Sequence, residues 1–341
     1  MTSIVTLLKH PTLTSLIFAC FMVSGVILAS GLSPGITGTE LKGATFLTIS
    51  ALAYGLFGIF SRLIGDDFGA FSQNAIRNLF PFFIYGIILL LYRNQFKKIL
   101  KKDIKWFLIW TLGGSSTTIL TFIAFNHLPL GTTYFLVYSS MIASGLLVGS
   151  LLFKEKLTIE KILSLILSVV GLILIYSLSI DRSLIIYSLF AVIAGAVTGT
   201  WNTLSKKISG NYSNFQMLLF DTGASAVIAG SIAIMLSDKV PRLELSTTWL
   251  AMLGFVVIGF IGSNGVVLGF RYIEAQLGSL ILPIEIVFAA IFGYLIFGEL
   301  PSLGSLVGGI CILIATLIVP AYALLTRKPR PSRGNHQKGT N

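Results

Sequence analysis

The run Gly278–Glu299, GSLILPIEIVFAAIFGYLIFGE, limits this chain more than any other stretch. It is almost unbroken in its apolar character, and a bilayer is crossed by about 20 such residues in a helix. Yet it contains a proline, Pro283, and a carboxylate, Glu285. At about 1.5 Å per residue, a helix begun near Gly278 carries Glu285 toward the bilayer midplane. A carboxylate at that depth is costly and faces a partner or a water-filled cavity. Pro283 has no N–H, so it frees a carbonyl one turn earlier and lets the helix break beside the acid. A polar group next to broken backbone at mid-membrane is a common way to build a transporter site.

The rest of the chain supports a membrane setting. Hydrophobic residues make up 55% of it and charged residues 11%, whereas a soluble domain is about one quarter charged. The fold expected is therefore all-α and polytopic, not a globular enzyme with one core. A net charge of +11 would suit nucleic acid, but the basic residues lie in short loops between apolar runs, the pattern of a protein with its positive loops inside. Nucleic acid is therefore not an expected partner. Cys20 and Cys311 both sit in apolar runs without metal-ligand spacing and read as small hydrophobes.

Ten apolar blocks follow Lys42: Gly43–Ser61, Phe71–Tyr92, Trp106–Phe125, Gly131–Phe153, Ile162–Tyr176, Leu184–Leu204, Phe215–Leu236, Trp249–Phe270, Leu277–Phe297 and Leu303–Leu324. The loop RNQFKKILKKDIK after the second block is the densest basic run and is expected in the cytoplasm. With that loop inside, 18 of the Lys and Arg residues fall on its side, 5 fall on the other, and Arg77 lies within a span. The C-terminal tail, RKPRPSRGNHQK, is then cytoplasmic, in a multi-pass cell-membrane protein. Thr12–Ser30 is a further apolar run, with small residues Ala29-Ser30-Gly31 like a cleavage site. A cleaved leader would leave residue 31 outside, yet the next span must start inside, which favours an extra N-terminal membrane helix. The expected division is an N-terminal segment, 1–41, a first five-helix repeat, 42–180, a second, 181–326, and a basic tail, 327–341.

The two halves are related by a shift of 144 residues. Leu136, Ile142, Gly149, Leu151, Phe153 and Glu155 land on Leu280, Ile286, Gly293, Leu295, Phe297 and Glu299. Five spans per half is an odd number, so the second copy enters the membrane from the other side. Inverted repeats of this kind permit alternating access by rocking one half against the other.

Glu285 is the first candidate for function, as a proton-coupling group or a ligand for a substrate amine. The competing reading is a structural acid bonded to backbone freed by Pro283. Phe288 and Phe292 share its helical face and would line an apolar wall. Asp221 lies seven residues into its span, and Arg77 is its repeat equivalent. A direct ion pair between them is doubtful, because about 11 Å separates their depths in a hydrocarbon core of about 30 Å. Arg77 fits a substrate carboxylate or an outer vestibule, against the alternative of snorkelling to the interface. GGSSTT (Gly113–Thr118) and GFIGSNG (Gly259–Gly265) occupy the third span of each half. Such small residues let helices approach closely, and Asn264 adds a side chain able to bond a substrate. Tyr54, at mid-depth, is a cavity candidate. Trp201 and Asn202 read as interfacial anchoring.

Ten spans in two five-span repeats, an arginine early in the second span (AIRNLF), and spans ending in FKEKLT and FGELPS resemble the EamA branch of the drug/metabolite transporter superfamily. The resemblance covers roughly Lys42–Leu325. It implies a secondary transporter, working without ATP, that exports amino acids or related small metabolites. Nucleotide-like, cationic or drug-like substrates are the alternative. Glu155 and Glu299 match the family pattern at span ends, where they would fix helix termini or pair with loop cations.

An integral membrane enzyme is the rival from another class. Such an enzyme needs acid clusters, histidines or a metal; the adjacent acids Asp66-Asp67 have no histidine near them in the sequence. No glycine loop ends in Lys-Ser or Lys-Thr, so no built-in ATPase is expected. Neither a cofactor nor a metal is implied; the expected partners are a small-molecule substrate, the lipid bilayer and a coupled proton. The topology predicts that cysteines introduced at Asn94 and Ser237 label from opposite sides of intact cells, Asn94 only after permeabilisation. Labelling of both from outside would overturn the orientation.

Overall fold

The computed structural model describes residues 38–128, 130–176 and 184–325. All ten apolar blocks are helical. They form α1 (Gly38–Gly55, resuming as Phe57–Ile64), α2 (Ala70–Leu91), α3 (Lys101–His127), α4 (Leu130–Phe153) and α5 (Ile159–Tyr176) in the first half. The second half has α6 (Ile185–Ser209), α7 (Asn214–Met235), α8 (Thr247–Tyr272), α9 (Ala275–Ile281, resuming as Ile284–Phe297) and α10 (Leu303–Leu325). Among the described residues there is no strand. Eight of these helices are long and apolar enough to cross a membrane, and α10 carries a shorter apolar stretch, Leu303–Val319. The run Thr12–Ser30, with the extra span expected there, lies outside the described residues, as does the basic tail.

Backbone polar groups have no water to bond in hydrocarbon, so helices are the only open-ended solution for spans like these. The outward side chains Leu90, Leu91, Ile234 and Met235 are exposed and apolar, as a surface in contact with lipid requires. Inside, the helices approach through small residues. A Cβ at Gly195 would collide with the Val137 carbonyl, and one at Gly199 with the Met141 carbonyl, so α6 lies backbone-to-backbone on α4.

The packing obeys the repeat. The principal neighbours include α4 with α6, α1 with α9, α3 with α6, α1 with α8, α2 with α7, α3 with α7, α2 with α8, α5 with α10 and α4 with α9. Exchanging each helix for its counterpart five places on turns this set into itself. The inversion is visible at the helix ends. The C-terminal ends of α4 and α6 meet the N-terminal end of α9 through Glu155, Lys206 and Ala275. At the other end of the bundle, the C-terminal ends of α1 and α9 meet through Arg62 and Glu299. Thus α1 runs opposite to α6, and α4 opposite to α9.

Two features break or tighten this symmetry. Helix α1 is interrupted at Leu56 and α9 at Leu282–Pro283, whereas the repeat equivalents, Thr200 in α6 and Ser139 in α4, lie in continuous helix. Tight turns re-satisfy the broken backbone: Leu56 N–H donates to the Ala53 carbonyl at 3.1 Å, and Glu285 N–H to the Leu282 carbonyl at 3.0 Å. The chain also leaves α4 and α9 in the same left-handed conformation, at Lys154 (φ 55°) and Gly298 (φ 69°). Glycine adopts it freely; lysine does so at a cost.

Two outcomes follow for stability. Lys154→Gly should raise stability by about 1 kcal/mol, while Gly298→Ala should lower it by a similar amount. Gly199→Ala should cost about 1–3 kcal/mol through overpacking against α4, whereas Gly210→Ala, with open space around it, should be nearly neutral. Thermal unfolding in detergent reads all four.

Candidate functional site

The break in α9 delivers Glu285 to the junction of α9, α4 and α1. Glu285 is in the first turn of the second α9 segment. Tyr138 of α4 donates its hydroxyl to Glu285 Oε1. On the other flank, Gly55 of α1 brings its backbone against the Glu285 carbonyl; a Cβ there would lie 3.2 Å from that oxygen and 2.7 Å from Phe288 Cβ. Phe288 is therefore packing, only 1% exposed, and does not line a cavity wall. Tyr134 and Tyr176 continue the aromatic layer. Tyr134 stacks at 6.2 Å from Tyr138 and at 5.7 Å from Tyr176.

Arg77 points into the bundle. Its guanidinium lies 4.7 Å from the Phe57 ring centre and 5.4 Å from that of Phe255, between α1 and α8. It also donates to Asn74 Oδ1 at 2.5 Å. Cation–π contacts hold a guanidinium away from water without neutralising it. This arrangement opposes the snorkelling alternative and leaves the positive charge in the interior. Among the described residues, Arg77 and Asp221 form no ion pair, as their positions along the spans lead one to expect.

Asp221 is held from α6. Trp201 donates its indole N–H to Asp221 Oδ1 at 3.0 Å. Trp201 stacks on Trp110 at 5.3 Å with the rings 8° from parallel, and the Trp110 indole donates to the Trp201 carbonyl at 2.9 Å. Trp201 is thus an interior residue that orients the acid, contrary to its expected role as an interfacial anchor. The glycine pair of GGSSTT has a specific use here: a Cβ at Gly114 would come within 2.5 Å of both Asp221 Oδ1 and Trp201 Nε1.

Tyr54 lies beside the Arg77 contact. Its ring packs over Gly262, its hydroxyl is 3.4 Å from Ser263 Oγ, and it meets Phe57, the ring beneath the Arg77 guanidinium, edge-on at 5.7 Å. Asn264 differs. Its amide donates to the Tyr85 hydroxyl at 2.6 Å and to the Phe260 carbonyl at 2.9 Å, and its oxygen accepts from Asn214 at 2.6 Å. With its amide hydrogens and its oxygen all engaged, Asn264 locks α2, α7 and α8 together rather than facing a ligand.

Four of the five candidate residues therefore lie where the halves meet, Glu285 against Tyr138, Arg77 on Phe255, Tyr54 on Gly262 and Asp221 beside Gly114, whereas Asn264 bonds Tyr85, Phe260 and Asn214. Tyr138, Trp201 and Trp110 were missed. Their types carry no signal in a chain with 25 Phe and 11 Tyr; the repeat offered one clue, since Met141, one turn from Tyr138, is the counterpart of Glu285. Among the described residues, no group of three His, Cys, Asp or Glu comes close enough to hold a metal ion.

Comparison with known proteins agrees with this architecture. A solved crystal structure superposes with a TM-score of 0.71 at 13% identity, covering 82% of this chain and 97% of its own. An uncharacterized transporter of Archaeoglobus fulgidus is 24% identical over 81% of this chain and 95% of its own length. The pseudopaline exporter CntI of Pseudomonas aeruginosa is 21% identical over 68% of this chain and 80% of its own length. The EamA-like transporter family matches twice, at residues 41–177 and 185–320, one match on each five-helix half. A multi-pass membrane protein built from two such repeats, this chain belongs to the EamA-like transporter family.

Proposed function

We propose that this transporter is a secondary exporter that moves amino acids or related zwitterionic metabolites by alternating access, without ATP. One observation carries the reading: a cation and two carboxylates, Arg77, Glu285 and Asp221, are each held inside the bundle at contacts between its two halves, with no ion pair among them in the described residues. Arg77 would take a substrate carboxylate, since a guanidinium matches that group bidentately. Glu285 would take the substrate amine or exchange a proton for it. Its Tyr138 hydrogen bond would release when substrate arrives. The naming of one relative as an exporter supports the direction of transport. The excess of basic residues on one face supports a cell-membrane orientation with the C-terminus in the cytoplasm.

A second reading has one observation in its favour. The near-parallel rings of Tyr134, Tyr138 and Tyr176 beside Glu285 suit an organic cation, which aromatic faces attract. The two readings differ in their need for Arg77: a cation has no carboxylate for it to hold.

The test is flux of labelled amino acids in proteoliposomes, with and without a pH gradient. Glu285→Gln should abolish the gradient dependence while leaving downhill exchange. Arg77→Gln should raise the KM for amino acids about 10- to 100-fold, the loss of a charge-assisted hydrogen bond. Normal pH dependence in Glu285→Gln would remove proton coupling through that residue. Flux of a quaternary ammonium, insensitive to Arg77→Gln, would replace the amino acid with an organic cation.

A further inference from the structure

The repeat shift of 144 residues maps Arg62 onto Lys206, Phe153 onto Phe297 and Glu155 onto Glu299. In space these six residues form two copies of one contact. Lys206 Nζ pairs with Glu155 Oε1 at 2.9 Å and lies 5.1 Å over the Phe153 ring. Arg62 pairs with Glu299 Oε1 and lies 4.5 Å over the Phe297 ring. Each cation ends the first helix of one half, and each Phe and Glu end the fourth helix of the other. Both contacts therefore cross between the halves. They sit at opposite ends of the bundle.

The copies differ in strength. Glu155 is 7% exposed and also accepts from the Ala275 and Gln276 backbone N–H groups at 2.8 Å, capping the N-terminus of α9. Beside it, Lys161 joins Gln276 at 2.7 Å and Glu274 at 2.8 Å. Arg62 and Glu299 are 59% and 53% exposed. Water screens an exposed pair, whereas removing one partner of a buried pair strands the other charge.

We propose that these two contacts are reciprocal latches of the transport cycle. In this structure both latches are closed, the one on the basic-loop face by a buried contact and the one on the opposite face by an exposed contact. When the halves rock, one latch parts while the other stays closed: Arg62 leaves Glu299 with Lys206 held on Glu155, or the reverse. This rests on the alternating-access reading, but its test needs no substrate.

Spin-label pairs report each end in the full chain, with Cys20 and Cys311 replaced by serine. Labels at Lys156 and Lys207 span the basic-face latch; labels at Leu63 and Leu300 span the other. Lys206→Gln removes the cation but keeps Glu155 as the α9 cap, so folding is preserved; Lys206→Arg is the charge-retaining control. Lys206→Gln should change the ratio of long to short Lys156–Lys207 distances at least about tenfold toward the long ones. The Leu63–Leu300 distances should keep their short, latched value at the same time. Arg62→Gln should lengthen the Leu63–Leu300 distances, by a population change of no more than about fivefold, and keep the Lys156–Lys207 distances short. Lys206→Arg should match the parent chain. If either Gln variant lengthens both distances, or neither variant lengthens its own in folded protein, the latches are wrong. Absence of amino-acid flux alone would instead count against the substrate reading and leave the latches standing.

Discussion

Hydrocarbon does not solvate charge, and this molecule is arranged around that constraint. Glu285, Asp221 and Arg77 lie inside the bundle, and each is held by a different device. Glu285 takes a phenol hydrogen bond from Tyr138, Asp221 an indole N–H from Trp201, and Arg77 the faces of Phe57 and Phe255 together with Asn74. None of these partners carries a full charge. The three groups are thus held by neutral partners and not by one another. A direct Arg77–Asp221 pair would satisfy both residues and leave little to offer a substrate.

Holding those groups requires the helices to come close, and glycine makes this possible. Gly195 and Gly199 seat α6 on α4, and Gly55 seats α1 on α9 beside the carbonyl of Glu285. These crossings are counterparts under the repeat: Gly55 maps to Gly199, and Glu285 to Met141. One copy of the crossing carries methionine and continuous helices. The other carries the acid and two interruptions, at Leu56 and Pro283. The fold is therefore symmetric in packing and asymmetric in chemistry. The asymmetry puts a buried carboxylate in one copy of the crossing and none in its counterpart.

Much of this was legible in the residues. Spans of the right length, the break at Pro283 and the inverted repeat follow from composition, proline chemistry and an odd count of spans, because a bilayer leaves few alternatives. Glu155 and Glu299 were expected to fix helix termini or pair with loop cations; Glu155 does cap α9, but the cations that both acids pair with lie in the last turns of α6 and α1. Trp201 was misread, since a tryptophan near a span end is ordinarily an anchor; only the fold shows it turned inward onto Trp110 and Asp221. Asn264 was overvalued for a related reason. A lone amide in a small-residue span looks like a ligand until its three partners, Tyr85, Phe260 and Asn214, are seen.

The sequence by itself determined the all-helical membrane class and the positions of the apolar helices, because both depend on rise per residue and transfer free energy along a single helix. Tertiary structure alone decided which charge faces which neighbour. That depends on the rotation of each helix about its axis, set by contacts such as Gly114 against Trp201 and Gly262 against Tyr54. These contacts join residues far apart in the chain, and no periodicity within one span records them.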